Sequence, residues 1–252
     1  MKKKEFIKPL KINRKKDVVL LHGLFGELSN WESVKNHLLD NYNIYVPELP
    51  LFTSLTGKNN LRNLVLFLED YIEQSGIHCP VLAGNSLGGH VALLYTLKHP
   101  EKVSSLVLTG SSGLYENTFG DTFPRVNDYR YIRNKVLDVF HRKEVADDLL
   151  VQKVFNTIQD KRKALAIIAL ARDAKRQNLR DRLRNIELPV LLIWGMQDIV
   201  TPISVAEEFY LSFPKASLHL INECGHVPMM EQPQAFNDIL REFLENRTVK
   251  SA

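Results

Sequence analysis

A mostly parallel α/β sheet flanked by helices, with one inserted helical cap, is the fold class this sequence predicts. Three observations predict it. Short, continuous apolar runs alternate with longer amphipathic stretches in the first half of the chain. The alternation stops between about residues 114 and 188, and it resumes afterwards. Unbroken apolar runs fit strands buried on both faces by crossover helices, the arrangement that parallel sheets require.

Taken in order, Asp17-Val18-Val19-Leu20-Leu21 is a buried strand, and Trp31, Val34 and Leu38 lie at helical spacing over 31–39. A second strand at 43–46 is stopped by Pro47 and Pro50, and a helix over 61–72 places Leu61, Leu64, Val65, Leu68 and Ile72 on one face. The third strand is 80–84, followed by a helix over 87–99 that Pro100 ends, and the fourth strand is 103–109. Between 114 and 188 the pattern is helical, with apolar pairs such as Leu149 and Leu150 or Leu165 and Ile168. Strand 189–194, helix 204–213, strand 217–221 and helix 234–244 complete the series. The expected division is a core of residues 1–113 and 189–252 carrying a cap or lid of residues 114–188.

Composition narrows the function classes. The chain has 252 residues, enough for one well-buried core, with 44% hydrophobic and 25% charged residues. A net charge of +4 is too mild for a dedicated nucleic-acid binder. Met1-Lys2-Lys3-Lys4 is basic, but Glu5 to Pro9 supplies no apolar signal-peptide core, and no run reaches the ~18 apolar residues of a membrane span. A cytoplasmic monomer or homodimer acting on a small-molecule substrate, without nucleic acid or membrane, is expected. The two cysteines, Cys79 and Cys224, form no metal or redox pattern and read as reduced, partly buried thiols, although Cys224 lies close to His226.

The sharpest signal is Gly84-Asn85-Ser86-Leu87-Gly88, a G-x-S-x-G where a strand gives way to a helix. A serine on so tight a turn is lifted clear of the sheet, and the small neighbours make the turn possible. A serine hydroxyl needs a base, and the base needs an orienting group. Asp198 follows one predicted strand and His226 the next, which gives the chain order Ser, acid, His at the carboxyl ends of strands. Ser86, Asp198 and His226 are therefore the expected catalytic residues. The developing oxyanion calls for two backbone N–H donors. Leu87 supplies one, and the loop His22-Gly23-Leu24-Phe25-Gly26 supplies the other, with Leu24 favoured over Phe25. His22 is expected to hydrogen-bond within its own loop. Phe25, Trp194 and Val227 are the expected substrate contacts.

These motifs carry a resemblance. The pieces H-G-L-F-G, G-N-S-L-G-G, W-G-x-x-D-x-x-x-P and C-G-H, spread over about residues 18–244, resemble the α/β-hydrolase superfamily. Within it the chain is similar to bacterial carboxylesterases and to meta-cleavage product hydrolases, which split carbon–carbon bonds, and Trp194 fits the second group. The resemblance implies the triad named above and a helical cap between the sixth and seventh strands of the family. Few residues precede Val18, so the family's opening hairpin is expected to shorten to one strand around residues 6–12.

Residues 114–188 hold 16 Lys/Arg against 11 Asp/Glu, whereas the remainder holds 17 against 18. That excess reads either as a positive cleft mouth for an anionic substrate or as a solvated helical face, and the positions of Arg172, Lys175 and Arg176 serve both. No metal-ligand cluster or dinucleotide-type glycine loop occurs, so no cofactor is expected. Hydrolysis of small carboxylic esters leads, carbon–carbon hydrolysis is the alternative, and a ligand-binding receptor on the same fold stands third.

Overall fold

The computed structural model describes residues 15–26, 31–52, 59–117 and 125–246. Six strands are described: β1 (Lys16–Leu21), β2 (Tyr42–Tyr45), β3 (Val81–Asn85), β4 (Ser105–Thr109), β5 (Val190–Gly195) and β6 (Ala216–Ile221). They form one sheet in the order β2-β1-β3-β4-β5-β6, and every pairing is parallel. The strand expected around residues 6–12 lies outside the described residues.

Pleating divides the strands' side chains between two cores. Val19, Leu21, Leu82, Leu106, Leu108, Val190, Leu192 and Trp194 face one side. Val18, Leu20, Val81, Ala83, Val107, Leu191 and Ile193 face the other. Helices α2 (Leu61–Gln74), α3 (Leu87–Lys98) and α8 (Ile203–Ser212) cover the first face. Helices α1 (Glu32–Leu38), α9 (Pro228–Glu231) and α10 (Pro233–Glu245) cover the second, through Val34, Leu38, Met229, Phe236, Leu240 and Leu244. Both faces of the four central strands, β1, β3, β4 and β5, are buried, which is why these read as almost unbroken apolar runs.

Helices α4 (Tyr129–Asp138), α5 (Asp148–Gln159), α6 (Lys161–Arg176) and α7 (Arg180–Leu183) occupy the stretch between β4 and β5. The first three start on aspartates whose carboxylates accept first-turn amides: Asp128 from Tyr131, Asp147 from Leu150, and Asp160 from Arg162 and Lys163. The insertion closes on itself where Leu179 N–H donates to Gly113 O at 2.8 Å. Asp173 of α6 accepts the amide of Leu61 at 2.8 Å and so seats α6 on the first turn of α2. Leu183 and Ile186, expected within the helical block, pack into the first core of the sheet. No helix among the described residues is long and apolar enough to cross a membrane.

Candidate active site

β3 ends at Asn85 and α3 starts at Leu87, leaving Ser86 alone at the corner. Its backbone sits at φ 52° and ψ −120°, a left-handed φ that disfavours any side chain. The surrounding structure holds it there: Ser86 N–H donates to Thr109 O at 3.1 Å, and Ser112 N–H donates to Ser86 O at 3.1 Å. Space at this corner is exhausted, since a Cβ on Gly88 would run into the backbone oxygens of Leu21 and His22. The first amides of α3 lack intrahelical acceptors and lie beside Ser86, where negative charge is favoured.

Asp198 and His226 follow β5 and β6, on neighbouring loops at the same sheet edge. His226 Nδ1–H donates to Asp198 Oδ2 at 2.9 Å, with both side chains almost wholly buried. The carboxylate is otherwise occupied by Val200 N–H at 2.8 Å, Thr201 N–H at 2.9 Å and Thr201 Oγ–H at 2.8 Å. Burial opposes the charged imidazolium of His226, but the charge and hydrogen bond of Asp198 outweigh it, aided by Glu116 and Glu231, and its pKa is raised above the ordinary histidine value. No hydrogen bond joins Ser86 Oγ to His226 among the described residues, yet both line one cavity.

Leu24, Phe25, Leu87 and Val227 also line that cavity. The loop of Leu24 lies close enough to the serine turn that a Cβ on Gly23 would stand 3.2 Å from Ser86 Cβ. His22 organises this loop: Nδ1–H donates to Gly23 O at 2.9 Å, and Nε2 accepts from Leu49 N–H at 3.0 Å. Burial lowers its pKa, which favours the neutral ring that accepts from Leu49. The insertion forms the opposite wall through Val136, Val139, Phe140, Leu150, Val154 and Ala171.

Trp194 departs from expectation. It is 0% exposed, packs on Phe209 in the first core and does not line the cavity. The pleat dictates this, because Trp194 shares its face with Val190 and Leu192. Its indole N–H instead donates to Thr201 O at 2.7 Å, steadying the residue that holds Asp198. Cys79 is exposed rather than partly buried. Cys224 is buried, and burial beside Glu231 and Asp198 pushes its thiol far above the ordinary range, which makes it inert. Among the described residues no group of three or more His, Cys, Asp or Glu is placed to hold a metal.

Other contributors were not among the expected site residues. Asn85 donates from Nδ2 to Thr109 O and to His226 O. Gly110, at φ 50°, lies against the histidine, where a Cβ would stand 2.7 Å from His226 O and 2.8 Å from Nδ1. Glu231 accepts Gly225 N–H, His141 N–H and Arg142 N–H at 2.9 to 3.0 Å. It thereby ties the histidine loop to the insertion, as does His226 N–H donating to Val139 O at 2.9 Å. Only an acid five residues beyond the histidine, in a stretch otherwise free of acids, hinted at Glu231.

The family description "alpha/beta hydrolase fold" matches residues 17–233, and the chain belongs to that family. At that level it is a hydrolase. A 2-hydroxy-6-oxononadienedioate/2-hydroxy-6-oxononatrienedioate hydrolase of Cupriavidus pinatubonensis is 28% identical over 91% of this chain and 86% of its own length. The Xenopus laevis monoacylglycerol lipase abhd6-A is 25% identical over 94% of this chain and 77% of its own. The crystal structure of MGS-MChE2, an alpha/beta hydrolase enzyme from the metagenome of sediments of the Mar Chica lagoon in Morocco, superimposes with a TM-score of 0.76. It is 34% identical, with 93% of each chain covered.

Proposed function

We propose that the protein is a serine esterase acting on small neutral carboxylic esters, with Ser86, His226 and Asp198 as its triad. The observation that carries this reading is the common cavity of Ser86 and His226, backed by the His226–Asp198 hydrogen bond. In the proposed reaction Ser86 Oγ attacks the ester carbonyl while His226 Nε2 takes its proton. The amides of Leu87 and Leu24 hold the oxyanion, and Asp198 balances the imidazolium. His226 then protonates the departing alcohol. Water, deprotonated by the same nitrogen, hydrolyses the acyl-enzyme to the acid. Residues 114–188 act as the cap, with Phe25 and Val227 against the substrate.

The carbon–carbon alternative calls for a cation to bind the carboxylates of ring-cleavage acids. Among the described residues lining the cavity there is no lysine or arginine, and Arg172, Lys175 and Arg176 are exposed on the insertion. Their excess charge accords with a solvated face. A monoacylglycerol, by contrast, is a neutral ester that an apolar wall accommodates.

Initial rates on p-nitrophenyl esters of increasing acyl length test the proposal, with Ser86→Ala as the control. Turnover of short esters that disappears in the variant is expected. A folded wild-type protein that leaves every ester intact, or an equally active variant, overturns the reading.

A further inference from the structure

Thr201 is fully buried and held at three points. Its carbonyl accepts Trp194 Nε1–H at 2.7 Å, its backbone N–H donates to Asp198 Oδ1 at 2.9 Å, and its hydroxyl donates to Asp198 Oδ2 at 2.8 Å. Oδ2 is also the oxygen that accepts His226 Nδ1–H at 2.9 Å. Two side-chain donors therefore share one carboxylate oxygen, while Oδ1 takes the amides of Val200 and Thr201. Thr201 Oγ stands 3.4 Å from Nδ1, and a proton on the line from Oγ to Oδ2 lies nearer the ring than Oγ does. The positive end of the hydroxyl dipole thus faces the imidazole.

We propose that Thr201 is a positioning residue that restrains the basicity of His226, by sharing Asp198 Oδ2 with Nδ1–H and by opposing positive charge on the ring. For turnover the inference rests on the esterase reading; for titration of the imidazole it does not. A hydrogen bond to a carboxylate draws part of its charge toward the donor, so less is left to stabilise the imidazolium. Solvent screens the effect little, because the side chains of Asp198 and His226 are almost wholly buried. A general base serves best when its pKa lies near the working pH, and one raised too far stays protonated there. Asp198, Glu231 of α9 and Glu116 of the stretch after β4 all push His226 upward, while the buried thiol of Cys224 is neutral. His141 and Arg142 of the insertion bond through their backbone amides to Glu231. Against the three carboxylates, the Thr201 hydroxyl adds to burial as a counterweight.

Thr201→Val removes the hydroxyl and Thr201→Ser keeps it. Thr201→Ala removes it without the added methyl, and carries the comparison should Thr201→Val not fold. The first measurement is the imidazole titration of His226 by NMR in Ser86→Ala, alone and combined with each substitution. The second is the acid limb of kcat/KM for p-nitrophenyl butyrate with Ser86 in place. Removing the hydroxyl is expected to raise both midpoints by about half a pH unit or more, and Thr201→Ser to leave them in place. An imidazole midpoint that stays put or falls in a folded hydroxyl-free variant overturns the restraint, and so does a shift in Thr201→Ser as large as in Thr201→Val. A raised imidazole midpoint with no ester turned over sinks the esterase reading and leaves the restraint standing. Ester turnover with an unmoved imidazole midpoint sinks the restraint alone.

Discussion

Asn85 Nδ2 donates to the backbone oxygen of His226 at 3.1 Å, so the strand that delivers Ser86 also holds the loop that delivers the histidine. The same amide group reaches Thr109 O at 3.0 Å. One side chain thereby joins the segments that carry Ser86 and His226, which are far apart in sequence.

Replacing it exposes that role. Asn85→Ala strands two buried carbonyls and frees the histidine loop. A loss of about 1–3 kcal/mol is expected in urea denaturation. Turnover should fall about tenfold with KM little changed, because orientation rather than substrate contact is lost. Unaltered kcat would contradict the clamp.

The pH profile of kcat/KM should report His226. A base with a raised pKa is inactivated by protonation as pH falls, so the acid limb should have its midpoint above 6.5. Asp198→Asn removes the chief favourable charge and leaves burial, which acts in the opposite direction. The limb should move below that of wild type while kcat drops by about 10⁴-fold. A limb that stays in place would assign the titration to another group.

Glu231→Gln retains one acceptor oxygen where the carboxylate satisfied three backbone amides of Gly225, His141 and Arg142. At least one buried amide is left unpaired, which costs about 1–3 kcal/mol. Hydrogen exchange should speed up at residues 141–142 and 225–226 together, because one side chain joins them. Acceleration confined to one of the two segments would show that they are not coupled.

His90, fully buried in α3 behind the Ser86 turn, has its pKa lowered to about 4 by burial, partly offset by the charge of Asp173. In the unfolded chain it titrates near 6.5, so unfolding takes up a proton between those values. Its neutral form favours the folded state above 6.5, and that support is lost as pH falls. The fold should therefore lose up to about 3 kcal/mol from this residue by pH 4. His90→Leu should flatten this part of the stability profile, measured as urea midpoints from pH 7 to 4, whatever its effect at neutral pH. A slope identical to wild type would place the acid sensitivity elsewhere.

That Ser86, Asp198 and His226 come together at one end of the sheet was legible in sequence, because each sits in a short local pattern at the end of a strand. The central strands were legible because burial on both faces leaves few polar interruptions, whereas the edge strands β2 and β6 are partly exposed and carry polar residues. Trp194 lies on the face of the sheet turned away from the cavity, and a position at the end of an unbroken apolar run does not disclose which side of the pleat a residue faces. The starts of α4, α5 and α6 are marked in the sequence by Asp128, Asp147 and Asp160, residues whose short carboxylates suit an N-cap. Asn85, Glu116 and Glu231 act through partners 4 to 141 residues away, many on other elements, and periodicity carries no record of such contacts.

The hydrogen bond from Leu179 to Gly113 has an evolutionary consequence. A segment whose two ends meet at one point can be lengthened, shortened or exchanged without re-registering the strands outside it. The sheet can then keep Ser86, His226 and Asp198 in place while the exchanged segment redraws the opposite wall of the pocket, provided it still offers the backbone groups that meet Glu231 and His226. Selection can therefore explore new substrates by editing one contiguous stretch of the gene, and a recombinant chimera grafted at residues 113 and 179 would follow the same route.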